Sequence, residues 1–139
     1  MIILDTNVVS EPLKPRGDLR VQQWLDEQPI ETLYLTATSL SELLLGIKLL
    51  PDGKRKKSLD IELSVLLARL FGPRIFPFDN VAATSFASLM CCARALGRPI
   101  SVADGQIAAI AFVHGFSVAT RDTKPFETVG VHVINPWIA

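Results

Sequence analysis

The chain has 139 residues, about half of them hydrophobic, which is enough for one domain, residues 1–139, with a sizeable core. Its 14 basic and 14 acidic side chains cancel, so a generally basic nucleic-acid-binding face is not indicated and partner choice cannot rest on bulk charge. No apolar stretch approaches the roughly 20 residues that span a bilayer. The start, Met1-Ile2-Ile3-Leu4-Asp5, lacks a basic leader and a long apolar region, so a secretion signal is not expected. The adjacent Cys91 and Cys92 cannot readily meet disulfide geometry, which fits reduced thiols in a cytoplasm.

In chain order, Ile2-Ile3-Leu4 reads as a short buried strand that meets a turn at Asp5-Thr6-Asn7. Pro12 and Pro15 bracket a loop, and Asp18 caps a helix through Val21, Trp24 and Leu25. Thr32 to Thr36 is β-rich and short. Two helices follow, Leu40 to Leu50 and Lys54 to Leu70, broken by Pro51-Asp52-Gly53. Arg74 to Phe78 is a third strand. Asp79 caps a helix through Ala95 that Gly97 stops, and its Cys91-Cys92 pair is expected to pack in the core. Ser101 to Val113 is a further helix, Phe116 to Thr120 a strand, and Val129 to Ile134 the last strand.

Strands separated by helices predict an α/β fold, a central parallel sheet of about five short strands with helices on both faces. Ligands of such sheets bind outside the carboxyl ends of the strands. Asp5 and Asp122 follow strands directly, while Glu42 and Asp104 are read near helix starts, so all four can reach one edge. Each acid alone has a local explanation. Ser39-Leu40-Ser41-Glu42 and Ser101-Val102-Ala103-Asp104 match capping boxes, Asp5 suits an Asx turn, and Asp122 suits a cap. Together they suggest a different chemistry. Clustered carboxylates repel one another and raise each other's pKa unless a cation lies between them. Hard cations such as Mg²⁺ take carboxylate oxygens, and paired ones cleave phosphodiesters. A metal-dependent nuclease is the working expectation.

Four segments carry a resemblance. Leu4-Asp5-Thr6-Asn7, Ser41-Glu42-Leu43, Ala103-Asp104-Gly105-Gln106-Ile107-Ala108 and Ala119-Thr120-Arg121-Asp122 are similar, in order and spacing, to the motifs of PIN-domain ribonucleases. Asp5 to Pro12, Gly53 to Lys57, Thr120 to Thr123 and Asn135-Pro136-Trp137 most resemble the FitB-like subgroup of VapC-type toxins. The resemblance implies a PIN fold, RNA cleavage with Mg²⁺ or Mn²⁺, homodimers that could pair further, and a small antitoxin whose DNA-binding end places the complex on its promoter. It assigns Asp5, Glu42, Asp104 and Asp122 to metal binding and catalysis, with Asn7 and Thr120 in support.

The remaining candidates are weaker. Arg94 and Arg121 lie near the acidic motifs, and Lys54, Arg55, Lys56 and Lys57 form a local basic run, so all six are candidate RNA contacts. Arg98 reads as a solvated cation. His114 and His132 lack partners at zinc-ligand spacing and read as structural or surface residues. Leucine is dense from Leu40 to Leu70, more than one side of a small sheet needs, which suggests a groove for an antitoxin helix. Two alternatives remain open. One is a non-enzymatic RNA- or partner-binding module on the same fold. The other is a phosphatase or phosphoacceptor domain, although Asn7 stands where a phosphatase of the strand-end Asp type would carry its second acid.

Overall fold

The computed structural model describes residues 1–139. Five short parallel strands form one sheet in the order β3-β2-β1-β4-β5. They are β1 (Ile2–Leu4), β2 (Leu33–Thr36), β3 (Ile75–Phe76), β4 (Ser117–Ala119) and β5 (Val133–Ile134). Seven helices connect and cover them: α1 (Thr6–Ser10), α2 (Leu19–Glu27), α3 (Ala37–Lys48), α4 (Lys54–Leu70), α5 (Asn80–Ala95), α6 (Val102–His114) and α7 (Lys124–Thr128). The expected α/β architecture is what forms. No helix is long and apolar enough to cross a membrane.

Period-two alternation in the strands divides the core between the two faces. Leu4, Leu33, Leu35 and Ala119 point into a cluster with Val8, Val9, Val21, Leu25, Leu43, Leu63, Leu66 and Leu70. Ile3 and Val118 point the other way, into a cluster with Ala82, Leu89, Ala93, Phe126 and the Ile107–Ala111 run of α6. Helices α1 to α4 therefore cover one face and α5 to α7 the other. The run on α6 is apolar almost all round because the helix is enclosed by α5, α7 and the sheet.

Several local expectations are corrected. Asp5-Thr6-Asn7 does not form a turn leading to a loop; Asp5 caps the short helix α1. Ser39 does not cap α3. Thr36, the last residue of β2, accepts from the Ser39 N–H at 3.1 Å, so the helix begins earlier and Glu42 sits in its second turn. Asp122 does not cap α7, whose cap position is Thr123 without a side-chain bond. The strand expected from Val129 shrinks to Val133–Ile134, because Gly130 turns the chain through a left-handed conformation (φ 79°). Cys91 and Cys92 are exposed, not in the core. Helix α5 turns Ala82, Leu89 and Ala93 inward, and the cysteines fall on the other side.

Order β3-β2-β1 on one side and β4-β5 on the other makes the β1/β4 boundary the point where the connections reverse direction. The crevice beyond the carboxyl ends of β1 and β4 is the place where open α/β sheets bind ligands.

Candidate active site

Asp5 stands at that crevice. Its backbone N–H completes the β1–β4 ladder by donating to Ala119 O at 2.9 Å. Its carboxylate accepts from the Thr6 N–H at 2.7 Å through Oδ1 and from the Thr120 hydroxyl at 2.8 Å through Oδ2. Thr120 is fully buried at the end of β4, and Asp5 is only 6% exposed. Burial is the largest influence on Asp5. It is opposed by the Thr120 and Thr6 hydrogen bonds and reinforced by the charges of Asp104 and Glu42, and the pKa is raised from 3.8 to about 6. The two donors do not offset the loss of water around this carboxylate, to which the neighbouring acids add.

Of the other three acids, Asp104 and Glu42 act on Asp5, and Asp122 acts on Asp104. Glu42 projects from α3, and its Oε1 accepts from the Thr6 hydroxyl at 2.8 Å, so one residue bridges Asp5 and Glu42. Asp104 lies in the first turn of α6, where its N–H donates to the capping Ser101 hydroxyl at 3.1 Å. Partial burial raises the Asp104 pKa, opposed by Ser101 and reinforced by the charges of Asp122 and Glu42. Asp122 follows β4, and its N–H donates to Thr120 Oγ1 at 3.2 Å. The Asn7 side-chain oxygen accepts from the Arg121 N–H at 3.4 Å, tying α1 to the Asp122 loop. A gradient results, with Asp5 buried, Asp104 intermediate, and Glu42 and Asp122 exposed.

No three His, Cys, Asp or Glu side chains are grouped closely enough to make a ready cage for an ion. The donor set is nevertheless all oxygen, and its members feel one another electrostatically. That suits Mg²⁺, which retains several waters and takes only one or two carboxylates directly. The residues present fit such an ion. His114 stacks on Phe76 and His132 bonds Ser117, so neither offers a competing site.

The candidate RNA contacts separate. Arg121 lies over the Trp137 ring at 5.2 Å, a cation–π contact that holds it toward the C-terminal segment. Lys56 is tied into the α3–α4 hairpin by Lys48 O and Asp52. Lys54, Arg55 and Lys57 are exposed, and Arg55 alone of the run lines the groove that also contains Thr6 and Glu42. Arg94 is exposed in the last turn of α5 and forms no salt bridge.

The PIN domain family matches residues 2–131. The chain belongs to the PIN-domain family. Within it, the chain is 48% identical over 137 residues to VapC ribonuclease Y4jK of Sinorhizobium fredii, covering 99% of this chain and 98% of the relative. Toxin FitB of Neisseria gonorrhoeae is 47% identical over 137 residues, covering 99% of each. The structure of FitAcB from Neisseria gonorrhoeae superposes with a TM-score of 0.95 at 46% identity over the full length of both chains. FitAB bound to a DNA fragment gives 0.94 at 45% identity, covering 99% and 96%. The FitB-like, VapC-type placement stands on these matches.

Two features of this PIN-domain protein were not foreseen from sequence. The Thr38 hydroxyl donates to Gln106 Oε1 at 2.9 Å, fastening α3 to α6 and hence the helices of Glu42 and Asp104. Gln106 lies two residues from Asp104, but nothing in the sequence pairs it with Thr38. A second feature is a cleft beside Asp122 that is lined by Arg98 and Lys124.

Proposed function

We propose that this protein is a divalent-metal-dependent endoribonuclease that acts as the toxin of a toxin–antitoxin pair. The observation that carries the reading is a buried, hydrogen-bonded Asp5 at the sheet's reversal point whose pKa is raised with Asp104 and Glu42 contributing. The likeness to proteins named as a VapC ribonuclease and a FitB toxin supports the same reading.

In this mechanism Asp5, Asp104 and Asp122 would hold the ion directly or through water, and Glu42 would complete the site. Thr120 and Thr6 fix the two Asp5 oxygens so that the carboxylate does not rotate away. Bound Mg²⁺ or Mn²⁺ would polarise the scissile phosphate and make a water in its shell more acidic. Glu42 keeps Oε2 free while Thr6 occupies Oε1, and it accepts the proton of the attacking water. The water oxygen bonds to phosphorus as the bond to the 3′-oxygen breaks, and the departing 3′-oxygen takes a proton from solvent, leaving 5′-phosphate and 3′-hydroxyl ends.

An antitoxin helix would occupy the groove of about 330 Å³ bordered by Leu43, Ile47, Leu50, Leu59 and Leu63. That groove reaches Thr6, Glu42 and Arg55, so an occupant would also obstruct the site. Through its DNA-binding end the antitoxin would carry the complex to promoter DNA. The exposed Val81 and Phe112 beside Thr84 and Ser88 offer an apolar patch for a homodimer.

Cleavage of total cellular RNA by wild type and Asp5→Asn, each with Mg²⁺, Mn²⁺ or EDTA and with 5′ ends mapped, tests the reading. Discrete cuts that require both metal and Asp5 are expected. One observation favours a second reading, a catalytically weak RNA- or partner-binding module: the acids are not grouped as a finished cage. Metal-independent RNA binding by a folded wild type that produces no cuts would select that module.

A further inference from the structure

Beside the acidic site lies a cleft of about 710 Å³ whose walls include Arg98, Ile100, Asp122, Lys124, Pro125 and Glu127. Arg98 follows α5, and Lys124 opens α7. The two cations come from separate segments and meet in one concavity, with Asp122 of the acidic quartet on the same wall. Both are exposed, and neither belongs to any of the three salt bridges of the molecule, which are Lys14–Glu11, Arg20–Asp18 and Lys56–Asp52. Most other polar groups around the site already have partners. These two do not, although two carboxylates line the same cleft.

We infer that Arg98 and Lys124 form a subsite for one RNA phosphodiester flanking the bond that is cut. The inference rests on the nuclease reading and assigns a direction to the strand's path, from the quartet past Asp122 toward α7. A guanidinium presents a planar fork of donors and an ammonium a mobile point charge, a pair suited to the two free oxygens of a phosphodiester. Ile100 and Pro125 give the cleft apolar wall against which a ribose can pack. Asp122 and Glu127 balance the two cations in the free protein. An anion therefore enters favourably once Asp122 is committed to a cation, which couples the subsite to a loaded active site. Sequence alone left Arg98 as a solvated charge, because its proximity to Lys124 and Asp122 exists only in the folded chain.

The test is the salt dependence of binding of a mixed-sequence 12-nucleotide single-stranded RNA, checked for integrity afterwards, to wild type at 4 °C with Ca²⁺, a hard cation that takes the same carboxylate oxygens, in place of Mg²⁺. Adding Arg98→Gln and Lys124→Gln should lower the slope of log K against log salt by about 0.7, the value for one phosphate contact on a single strand. Adding Arg16→Gln and Arg69→Gln instead, an equal loss of charge at positions outside the cleft, should leave the slope unchanged. Glu127→Gln should tighten binding. Equal slope changes from the two pairs would mean bulk charge and no subsite. Active cleavage by wild type together with an unaltered slope in the Arg98/Lys124 variant would remove the subsite and leave the nuclease standing. A folded wild type that neither cuts nor binds RNA would overturn both.

Discussion

Asp5 is the buried member of the candidate acidic site. Its pKa rises from 3.8 to about 6, chiefly through burial. The proton is therefore held more tightly in the folded state than in the unfolded one. This stabilisation is fully present below pH 3.8 and is lost as pH rises through about 6. At neutral pH the ionised carboxylate of the metal-free protein costs about 3 kcal/mol relative to a neutral group, taking about 1.4 kcal/mol per pH unit. Asp5→Asn should therefore be more stable than wild type at pH 7.5 in EDTA, and the gap should close toward pH 4. Urea unfolding at the two pH values measures it, and a wild type that is the more stable at pH 7.5 would contradict the burial argument. Mg²⁺ should reverse the order of response. It should raise the melting temperature of wild type and have little effect on Asp5→Asn, since an ion that binds only the native state stabilises it by mass action. Below pH 6 that gain should shrink, because a protonated carboxyl is a poor ligand.

Elements are where sequence and structure differ, and Ser39 illustrates why. Its spacing to Glu42 satisfies a capping box, yet Thr36 takes the role and leaves the Ser39 hydroxyl buried without a partner. Thr36→Val, which removes the hydroxyl and keeps the shape, should cost about 1–2 kcal/mol. Ser39→Ala should be neutral or slightly stabilising, because it deletes an unpaired buried polar group. Denaturant midpoints of the two variants decide between the caps, and the opposite ranking would restore the sequence reading. The motif was legible, but the competition between two hydroxyls three residues apart was decided by where β2 ends against β1 and β3. Helix α4 was readable to the residue, because Gly53 and Gly72 punctuate a leucine repeat with nothing competing. The cysteines were misplaced for a related reason. Small residues are spread around much of α5, so periodicity could not say which side would be covered. The four acids stood out in the sequence as candidates because apolar runs lie close to each. Their shared field, and the Thr38–Gln106 tie behind it, required the sheet order.

At the scale of the molecule, the candidate site draws on residues from 5 to 122, and α6 carries the half-buried Asp104. Gly105, adjacent to Asp104, is buried where α6 and α5 pack together. A Cβ there would lie 2.5 Å from Met90 Sδ and 2.9 Å from Phe86 Cε2. Phe86 is itself braced edge-on by Phe78, with ring centroids 5.6 Å apart. Glycine within a helix costs roughly 1 kcal/mol relative to alanine, so in open space Gly105→Ala would stabilise the protein. Here overpacking, typically about 1–3 kcal/mol, should outweigh that gain, leaving a net loss of about 1–2 kcal/mol. The strain should also move the first turn of α6 and with it Asp104, weakening the Mg²⁺-dependent rise in melting temperature. Met90→Ala added to Gly105→Ala removes the sulfur that the new methyl strikes. It should recover part of the Mg²⁺ response, giving a non-additive pair. If Gly105→Ala equals or exceeds wild type in stability and responds fully to Mg²⁺, α5 yields without transmitting the strain. The close approach of the two helices would then be incidental to the position of Asp104.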